Sequence, residues 1–213
     1  NRELLESAVR LLAPLLDDLV FLGGCATGLL LTDPAAAGLR PTKDVDAITE
    51  VGSYAEYAKL SERLRNLGLA EDTSEGAPLC RWRHGRLILD VMPTMEEVLG
   101  FANRWYKPAL EAGQWIDVGV LRLRLVTPVY FLATKLEAFR ARGASDVSGS
   151  HDLEDVVTVI DGRAEIIGEV WSAPPDVRTF IASEFQQLLA GRAFVDALRG
   201  YLLPDAANQA RLP

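Results

Sequence analysis

The sequence predicts an α+β fold, with a mixed β-sheet core and flanking helices over residues 1–127 and a helical portion over residues 128–213. Short apolar or alternating runs, typical of strands, recur through the first part. Amphipathic segments with helical spacing lie between those runs. From Pro128 onward only the helical spacing continues, which places the boundary near Thr127.

The first elements of the core follow from hydrophobic spacing and from the residues that interrupt it. Leucines at helical spacing open the chain, and the short apolar run after them suits a buried strand. We expect a helix over Glu3–Leu16, a strand over Val20–Leu22, a helix over Ala26–Leu31 that begins at a glycine pair, a loop over Asp33–Thr42 and a strand over Asp44–Thr49.

The later elements include a hairpin and a group of helices. Gly85 separates two strand-like runs and predicts a tight turn between them. The predicted elements are a helix over Tyr54–Leu67 ended by Gly68, strands over Leu79–His84 and Arg86–Met92, one or two strands over Trp115–Val126, helices from Pro128 and over Asp152–Ile160, and one or two helices over Asp176–Tyr201.

Composition excludes several classes of site and partner. Two histidines and two distant cysteines, Cys25 and Cys80, make a zinc site improbable and favour a reduced, cytoplasmic protein over a disulfide-linked one. No apolar run is long enough to cross a bilayer and no signal-peptide pattern precedes the first helix, so no membrane partner is expected. The net charge of −8 means that nucleic acid would need a local basic patch.

Three aspartates in apolar surroundings predict a metal site. Asp44 and Asp46 lie two residues apart on a predicted strand, so their side chains share one face. Asp90 interrupts another apolar strand, and the three carboxylates would converge if the two strands are neighbours. Because unpaired buried carboxylates repel each other, a divalent cation would resolve the conflict, and Mg²⁺ prefers such oxygen ligands.

The glycine pair Gly23–Gly24 predicts a phosphate site beside these carboxylates. A helix that begins at the pair would direct backbone N–H groups and its positive dipole end toward an anion. Glycine also lets a phosphate approach the backbone without a Cβ in the way. Metal-binding carboxylates and a phosphate-binding turn together indicate phosphoryl or nucleotidyl transfer.

The order of these motifs resembles the nucleotidyltransferase superfamily with a polymerase-β-like core. "GGCATGLLL", "RPTKDVD", "LDVMP", "TKLEAFRARG" and "DLEDVV" are similar to the AbiEii-type nucleotidyltransferase toxins of type IV toxin–antitoxin systems. The resemblance covers roughly residues 22–163. It implies a nucleotidyltransferase-type sheet, an NTP substrate, Mg²⁺, a cytoplasmic location, an RNA acceptor such as a tRNA 3′ end, and a cognate antitoxin protein. It also implies that the helical portion completes the active-site cleft.

The resemblance further assigns roles to individual residues. It implies that Gly23 and Gly24 hold the nucleotide phosphates, that Asp44 and Asp46 bind Mg²⁺, and that Asp90 binds metal and helps to activate the acceptor hydroxyl. Lys135 would contact the triphosphate, and Asp152 would belong to a late D-x-x-D motif with Asp155. Gly24 departs from the family, in which serine is frequent, so Thr27 or Thr42 would have to supply the missing hydroxyl.

Alternatives remain open for residues and for function. Lys135 could pair with Glu137 or Asp155, and Asp152 with Asp155 could simply favour a helix dipole. Two alternating pairs of arginines on predicted strands, with Arg86 just beyond the first pair, could anchor RNA or triphosphate or could be ordinary surface residues; the pairs are Arg81 with Arg83 and Arg122 with Arg124. The acceptor could be a cationic small molecule of the aminoglycoside kind, and the chain could also be a degenerate, non-catalytic module that binds a nucleotide or a partner.

Overall fold

The chain folds into two compact units. We analysed a computed structural model, which describes residues 1–33, 36, 39–100, 103–142 and 146–202. The first unit comprises Asn1–Gly28 and Pro41–Thr127, and the second comprises Leu29–Arg40 and Pro128–Pro213. Only residues 29–40 of the segment between the glycine pair and the Asp44 strand belong to the same unit as the late helices, and the loop predicted over Asp33–Thr42 lies partly outside the described residues.

A mixed seven-stranded sheet forms the centre of the first unit. Its spatial order is β3-β4-β5-β2-β1-β7-β6. The central strands are made of apolar residues that are buried on both faces, as their continuous or nearly continuous apolar sequences require. The strands are Leu19–Leu22 (β1), Asp44–Thr49 (β2), Ala70–Glu71 (β3), Arg81–His84 (β4), Leu87–Pro93 (β5), Gln114–Val118 (β6) and Leu121–Leu125 (β7).

Strand directions bring the predicted site residues to one part of the sheet. β2 lies between β1, to which it is antiparallel, and β5, to which it is parallel. β4 and β5 form the predicted hairpin, and Gly85 in its turn has φ +57°. Because β1 runs opposite to β2, the end of β1 and the glycine pair after it lie beside the start of β2, where the aspartates are.

Along the chain, four α-helices in the described part of the first unit precede or connect the strands of this sheet. Ser53 caps the longest of them by accepting a hydrogen bond from the Glu56 N–H, and Gly68 follows its end with φ +83°, as predicted. The α-helices of the first unit are Arg2–Leu11 (α1), Tyr54–Asn66 (α2), Glu96–Leu99 (α3) and Tyr106–Glu111 (α4).

The first helix is shorter than its leucine spacing predicts. It ends at Leu11, and a 3₁₀ segment continues over Ala13–Asp18. Pro14 explains the change, because it has no N–H to bond to the carbonyl of Arg10 and its ring opposes α-helical continuation.

The second unit is helical in its described part. Apolar faces at helical spacing are buried in the two helices that carry the predicted site residues. The helices are Pro128–Ala141 (α5), His151–Gly162 (α6), Ile166–Ser172 (α7), Pro175–Ala190 (α8) and Arg192–Tyr201 (α9). The prediction did not include α7, which has only one buried residue, Ile166, and so carries little periodic signal.

The fold-class prediction is confirmed: the molecule is α+β, with a mixed sheet, flanking helices and a helical C-terminal portion. Strands β1, β2, β4 and β5 all contribute large, fully buried side chains to the core, among them Phe21, Ile48, Trp82 and Leu89. None of the helices in the described ranges has the length and apolarity needed to span a membrane.

Trp82 provides a test of this core. Its side chain is fully buried in β4, so Trp82→Ala should lower the free energy of unfolding by about 3–5 kcal/mol through lost burial and a residual cavity. Leu79→Ala, just before β4, is the control: Leu79 is 69% exposed, and its loss should change stability by less than about 0.5 kcal/mol. Denaturant unfolding measures both, and equal losses would contradict the assigned core.

Candidate functional site

The three predicted metal ligands lie on neighbouring strands of the first unit. Asp46 on β2 is the register partner of Asp90 on β5, and Asp44 lies two residues before Asp46 on the same face. Asp44 and Asp46 are half-buried, whereas Asp90 is only 7% exposed. The strand adjacency that the metal prediction required is therefore present, and two carboxylates occupy directly opposed positions.

Arg81 contributes a positive charge to this carboxylate cluster. It lies on β4 as the register partner of Asp90, so a single row across the sheet contains Arg81, Asp90 and Asp46. Its Nε donates to Asp90 Oδ1 at 2.8 Å, and its Nη2 donates to Asp90 Oδ2 at 2.7 Å. The same Nη2 is 3.2 Å from Asp44 Oδ2.

This arrangement stabilises the charged form of the guanidinium. The hydrogen bond to Asp90 is the main cause, and it raises the pKa of Arg81 above its already high ordinary value, although partial burial acts in the opposite direction. The bidentate geometry is the one that planar guanidinium and carboxylate groups favour. Arg81 therefore keeps its positive charge and is a counterion of the carboxylate cluster.

Gly23 lies directly against the Asp46 side chain. It follows β1 with φ +75°, a left-handed conformation that other residues rarely adopt. A Cβ at this position would overlap the Asp46 carboxylate and lie 2.8 Å from the Asp46 Cβ. The glycine is therefore required here for two independent reasons, backbone conformation and space.

The segment after the glycine pair differs from the prediction. An α-helix over Ala26–Leu31 was expected, but Thr27–Leu29 forms a single 3₁₀ turn. The left-handed Gly23 makes a tight turn instead, in which the Ala26 N–H donates to the Gly23 carbonyl at 3.1 Å. With Leu29 the chain also enters the second unit, and among the described residues no α-helix begins at the glycine pair to direct its dipole toward an anion.

The two hydroxyls that might replace a serine at Gly24 have internal partners. Thr42 Oγ1 donates to Asp44 Oδ1 at 2.9 Å, which orients that carboxylate. Thr27 is buried, and its Oγ1 lies 3.5 Å from the Gly23 carbonyl. Thr42 therefore belongs to the carboxylate cluster, and Thr27 supports the turn.

Lys135, Asp152 and Asp155 form an ionic cluster within the second unit. Lys135 Nζ on α5 is 3.2 Å from Asp152 Oδ1 and 2.6 Å from Asp155 Oδ2, both on α6. The side chains of the three residues are at most 13% exposed. Arg142 also pairs with Asp152, and Arg40 Nη2 lies 3.5 Å from Asp155 Oδ2.

The carboxylate cluster has the donor chemistry of a magnesium site. Carboxylate oxygens of Asp44 and Asp90 both contact one cationic nitrogen, Nη2 of Arg81, and carboxylate oxygen is the ligand type that Mg²⁺ prefers. Throughout the described residues, no group of three or more His, Cys, Asp or Glu side chains is arranged to hold a metal ion. The carboxylates are of the residue type that Mg²⁺ prefers, and in the arrangement that the structure shows Arg81 is bonded between Asp44 and Asp90.

The arginines named from sequence do not form one basic strip. Arg81 and Arg83 lie on β4 and Arg122 and Arg124 on β7, and three strands separate β4 from β7. Arg83 pairs with Asp72 at 2.7 Å, and Arg124 donates to the carbonyls of Asp17 and Leu110. Arg122 stacks on Trp115, with 5.3 Å from its guanidinium carbon to the ring centroid.

The buried Cys80 thiol is not activated as a nucleophile. Burial, aided by the nearby Asp90, raises the pKa of the Cys80 thiol to about 12, so the thiol is neutral near pH 7. Cys25 is buried beside the glycine pair.

Comparison with known proteins supports the fold. No protein-family model matches the sequence, and no curated protein is detectably similar to it. The crystal structure of an antigenic nucleotidyltransferase-like protein from Paracoccidioides brasiliensis is similar, with a TM-score of 0.54 and 20% identity over 92% of this chain and 93% of that chain. At this identity the similarity establishes a nucleotidyltransferase-like fold.

Gly23 can be tested against a matched glycine. Gly85→Ala introduces the same kind of left-handed strain but meets no atom within 4 Å, whereas Gly23→Ala also displaces the Asp46 carboxylate. Gly23→Ala should therefore destabilise the protein by at least about 1 kcal/mol more than Gly85→Ala, the minimum usual for overpacking. Equal losses in denaturant unfolding would show that Asp46 is not held against the turn.

The Lys135 cluster can be tested by a double-mutant cycle. Lys135→Met leaves two buried carboxylates without their shared cation and should lower the free energy of unfolding by about 3–5 kcal/mol. Adding Asp155→Asn removes one of those carboxylates, so the double variant should be more stable than the sum of the single losses by at least about 1 kcal/mol. Additive losses would mean that the pair contributes no coupling.

Proposed function

We propose that the protein is an Mg²⁺-dependent nucleotidyltransferase that moves NMP from an NTP to a hydroxyl acceptor. The observation that carries the proposal is the register pairing of Asp46 with Asp90 beside Asp44, on a nucleotidyltransferase-like fold. Carboxylate oxygens of Asp44 and Asp90 lie around the guanidinium of Arg81. Carboxylates grouped in this way could instead bind the metal ion that a cation-assisted phosphoryl transfer needs.

The proposed reaction is a single displacement at the α-phosphorus. The acceptor oxygen forms a bond to that phosphorus, the bond to the bridging oxygen of the β-phosphate breaks, and pyrophosphate leaves with the electron pair. Asp90 is the group we assign to receive the acceptor proton, because it is a carboxylate at the centre of the row. Bound Mg²⁺ would supply electrostatic stabilisation of the charge on the transferred phosphoryl group.

The glycine turn is assigned to the nucleotide phosphates. Gly23 and Gly24 lie at the end of β1, next to Asp46, so a phosphate there would share the neighbourhood of the carboxylates. Because the turn is not followed by an α-helix, the assignment depends on backbone N–H groups at the turn rather than on a dipole. The roles of Lys135 and Asp152 toward the triphosphate stay predictions from the family resemblance.

The acceptor and the biological role are proposed from that same resemblance. An RNA 3′ end, such as that of tRNA, is the favoured acceptor, and the protein would act as a toxin-type enzyme in the cytoplasm with a cognate antitoxin partner. Exposed arginines that RNA phosphates could contact include Arg83 and Arg86. A cationic aminoglycoside-like acceptor is the alternative that the net charge of −8 favours.

A non-catalytic nucleotide-binding module is the second candidate function. It is favoured by the position of Arg81, which already neutralises Asp44 and Asp90, and by the internal partners of Thr27 and Thr42. Such a module would bind NTP without releasing pyrophosphate. Calorimetric NTP binding, combined with a pyrophosphate-release assay, separates the two candidates.

A labelling screen tests the proposed reaction directly. Each of the four α-³²P NTPs is incubated with the protein, MgCl₂ and either total bacterial RNA or a panel of aminoglycosides. Label in RNA of tRNA size supports the RNA acceptor, and label in the small-molecule fraction supports the alternative. Absence of transfer to any acceptor, together with NTP binding, would favour the non-catalytic module.

The carboxylates should be required for transfer. Asp44→Asn, Asp46→Asn and Asp90→Asn should each lower the initial rate by about 100-fold or more, because several kcal/mol of transition-state stabilisation would be lost. Asp117→Asn is the matched control, since Asp117 is an exposed aspartate on another strand, β6. Full activity in the Asp44→Asn, Asp46→Asn double variant would refute the proposed mechanism.

A further inference from the structure

Arg81 occupies the place where a cation would meet two of the carboxylates. Its Nη2 donates both to Asp90 Oδ2 at 2.7 Å and to Asp44 Oδ2 at 3.2 Å. Asp44 and Asp90 would be among the residues that hold a divalent cation, and the cation would draw on lone pairs of the same two carboxylates. The guanidinium and the cation would also repel each other at such short range, so the two positive groups compete.

The two contacts of Arg81 differ in strength. Asp90 accepts two hydrogen bonds, from Nε and Nη2, and its side chain is only 10% exposed. Asp44 accepts one longer bond from Arg81, and its side chain is 33% exposed. A charge-assisted bond that is long, single and solvated is the weaker one, so the Asp44 contact is the one that yields first.

We infer that Arg81 is an internal counterion that holds Asp44 and Asp90 in the cation-free protein and that a divalent cation displaces from Asp44. This inference rests on the proposed function, because it assigns a competitor to the proposed metal site. Arg81 is a positioning residue here: it prevents the carboxylates from repelling each other before the cation binds, and it lowers the affinity for the cation alone.

The experiment measures Mn²⁺ binding to the nucleotide-free protein by electron paramagnetic resonance at fixed pH and ionic strength. Arg81→Gln removes the competitor, and Arg83→Gln is the control, because it removes the same charge from the same strand but its partner is Asp72. Arg81→Gln should bind Mn²⁺ about tenfold more tightly than Arg83→Gln, the effect of freeing one charge-assisted hydrogen bond. Asp90→Asn should abolish binding and so identify the site.

The outcomes separate this inference from the proposed function. Equal Mn²⁺ affinity in Arg81→Gln and Arg83→Gln, with binding lost in Asp90→Asn, would overturn the inference and leave the metal site intact. Mn²⁺ binding that Asp44→Asn and Asp90→Asn leave unchanged, or no binding in any variant, would overturn both. A merely structural role for Arg81 predicts lower thermal stability in Arg81→Gln but no gain in Mn²⁺ affinity.

A measurement on the unaltered protein covers the case in which Arg81→Gln does not fold. The Arg81 Nε–H should give a slowly exchanging ¹⁵N-correlated signal, because it donates to the buried Asp90, and its absence from Arg81→Lys assigns it. Saturation with diamagnetic Mg²⁺ should shift this signal and that of the Asp44 carboxyl carbon. If both signals stay unchanged while Mg²⁺ binds, the inference is wrong.

Discussion

Like-charge repulsion in the middle of a sheet is the constraint on which the candidate site depends. Asp46 and Asp90 are register partners on adjacent strands, and Asp44 is on the same face. Two carboxylates at this spacing cannot both be buried and ionised without a compensating positive charge. Arg81 supplies that charge to Asp90 across a hairpin, because Arg81 lies on its first strand, β4, and is the register partner of Asp90 on its second strand, β5.

Much of this arrangement could be predicted from the sequence. The bounds of β2 follow from the alternation of acidic and apolar residues, and the hairpin follows from Gly85 between two apolar runs. The contact of Arg81 with Asp90 was not predicted, although the sequence contains a signal for it. A two-residue turn at Gly85–Arg86 pairs His84 with Leu87, and counting back along both strands pairs Arg81 with Asp90.

Other features depend on contacts that local patterns do not encode. The apolar residues after Gly24 suit a helix, but the left-handed Gly23 and the transfer of Leu29–Arg40 to the second unit shorten it to one turn. That segment bonds to α6 instead, through the Thr32 and Asp33 N–H groups and the Gly162 carbonyl. Tertiary contacts thus outweigh the local helix propensity of this segment.

The two ionic clusters compensate the negative charge of their buried carboxylates in different ways. In the second unit, Lys135 reaches two aspartates that are one helical turn apart, and Arg142 and Arg40 add charge from other segments. In the sheet, one guanidinium serves Asp90 with two bonds and Asp44 with one weaker bond. Since rigid, fully matched pairs resist exchange, the unequal sharing around Arg81 is the arrangement that leaves a carboxylate oxygen accessible to a second cation. A site that must be stable without metal and still accept one needs a counterion of this kind, strong at the buried acid and weak at the exposed one.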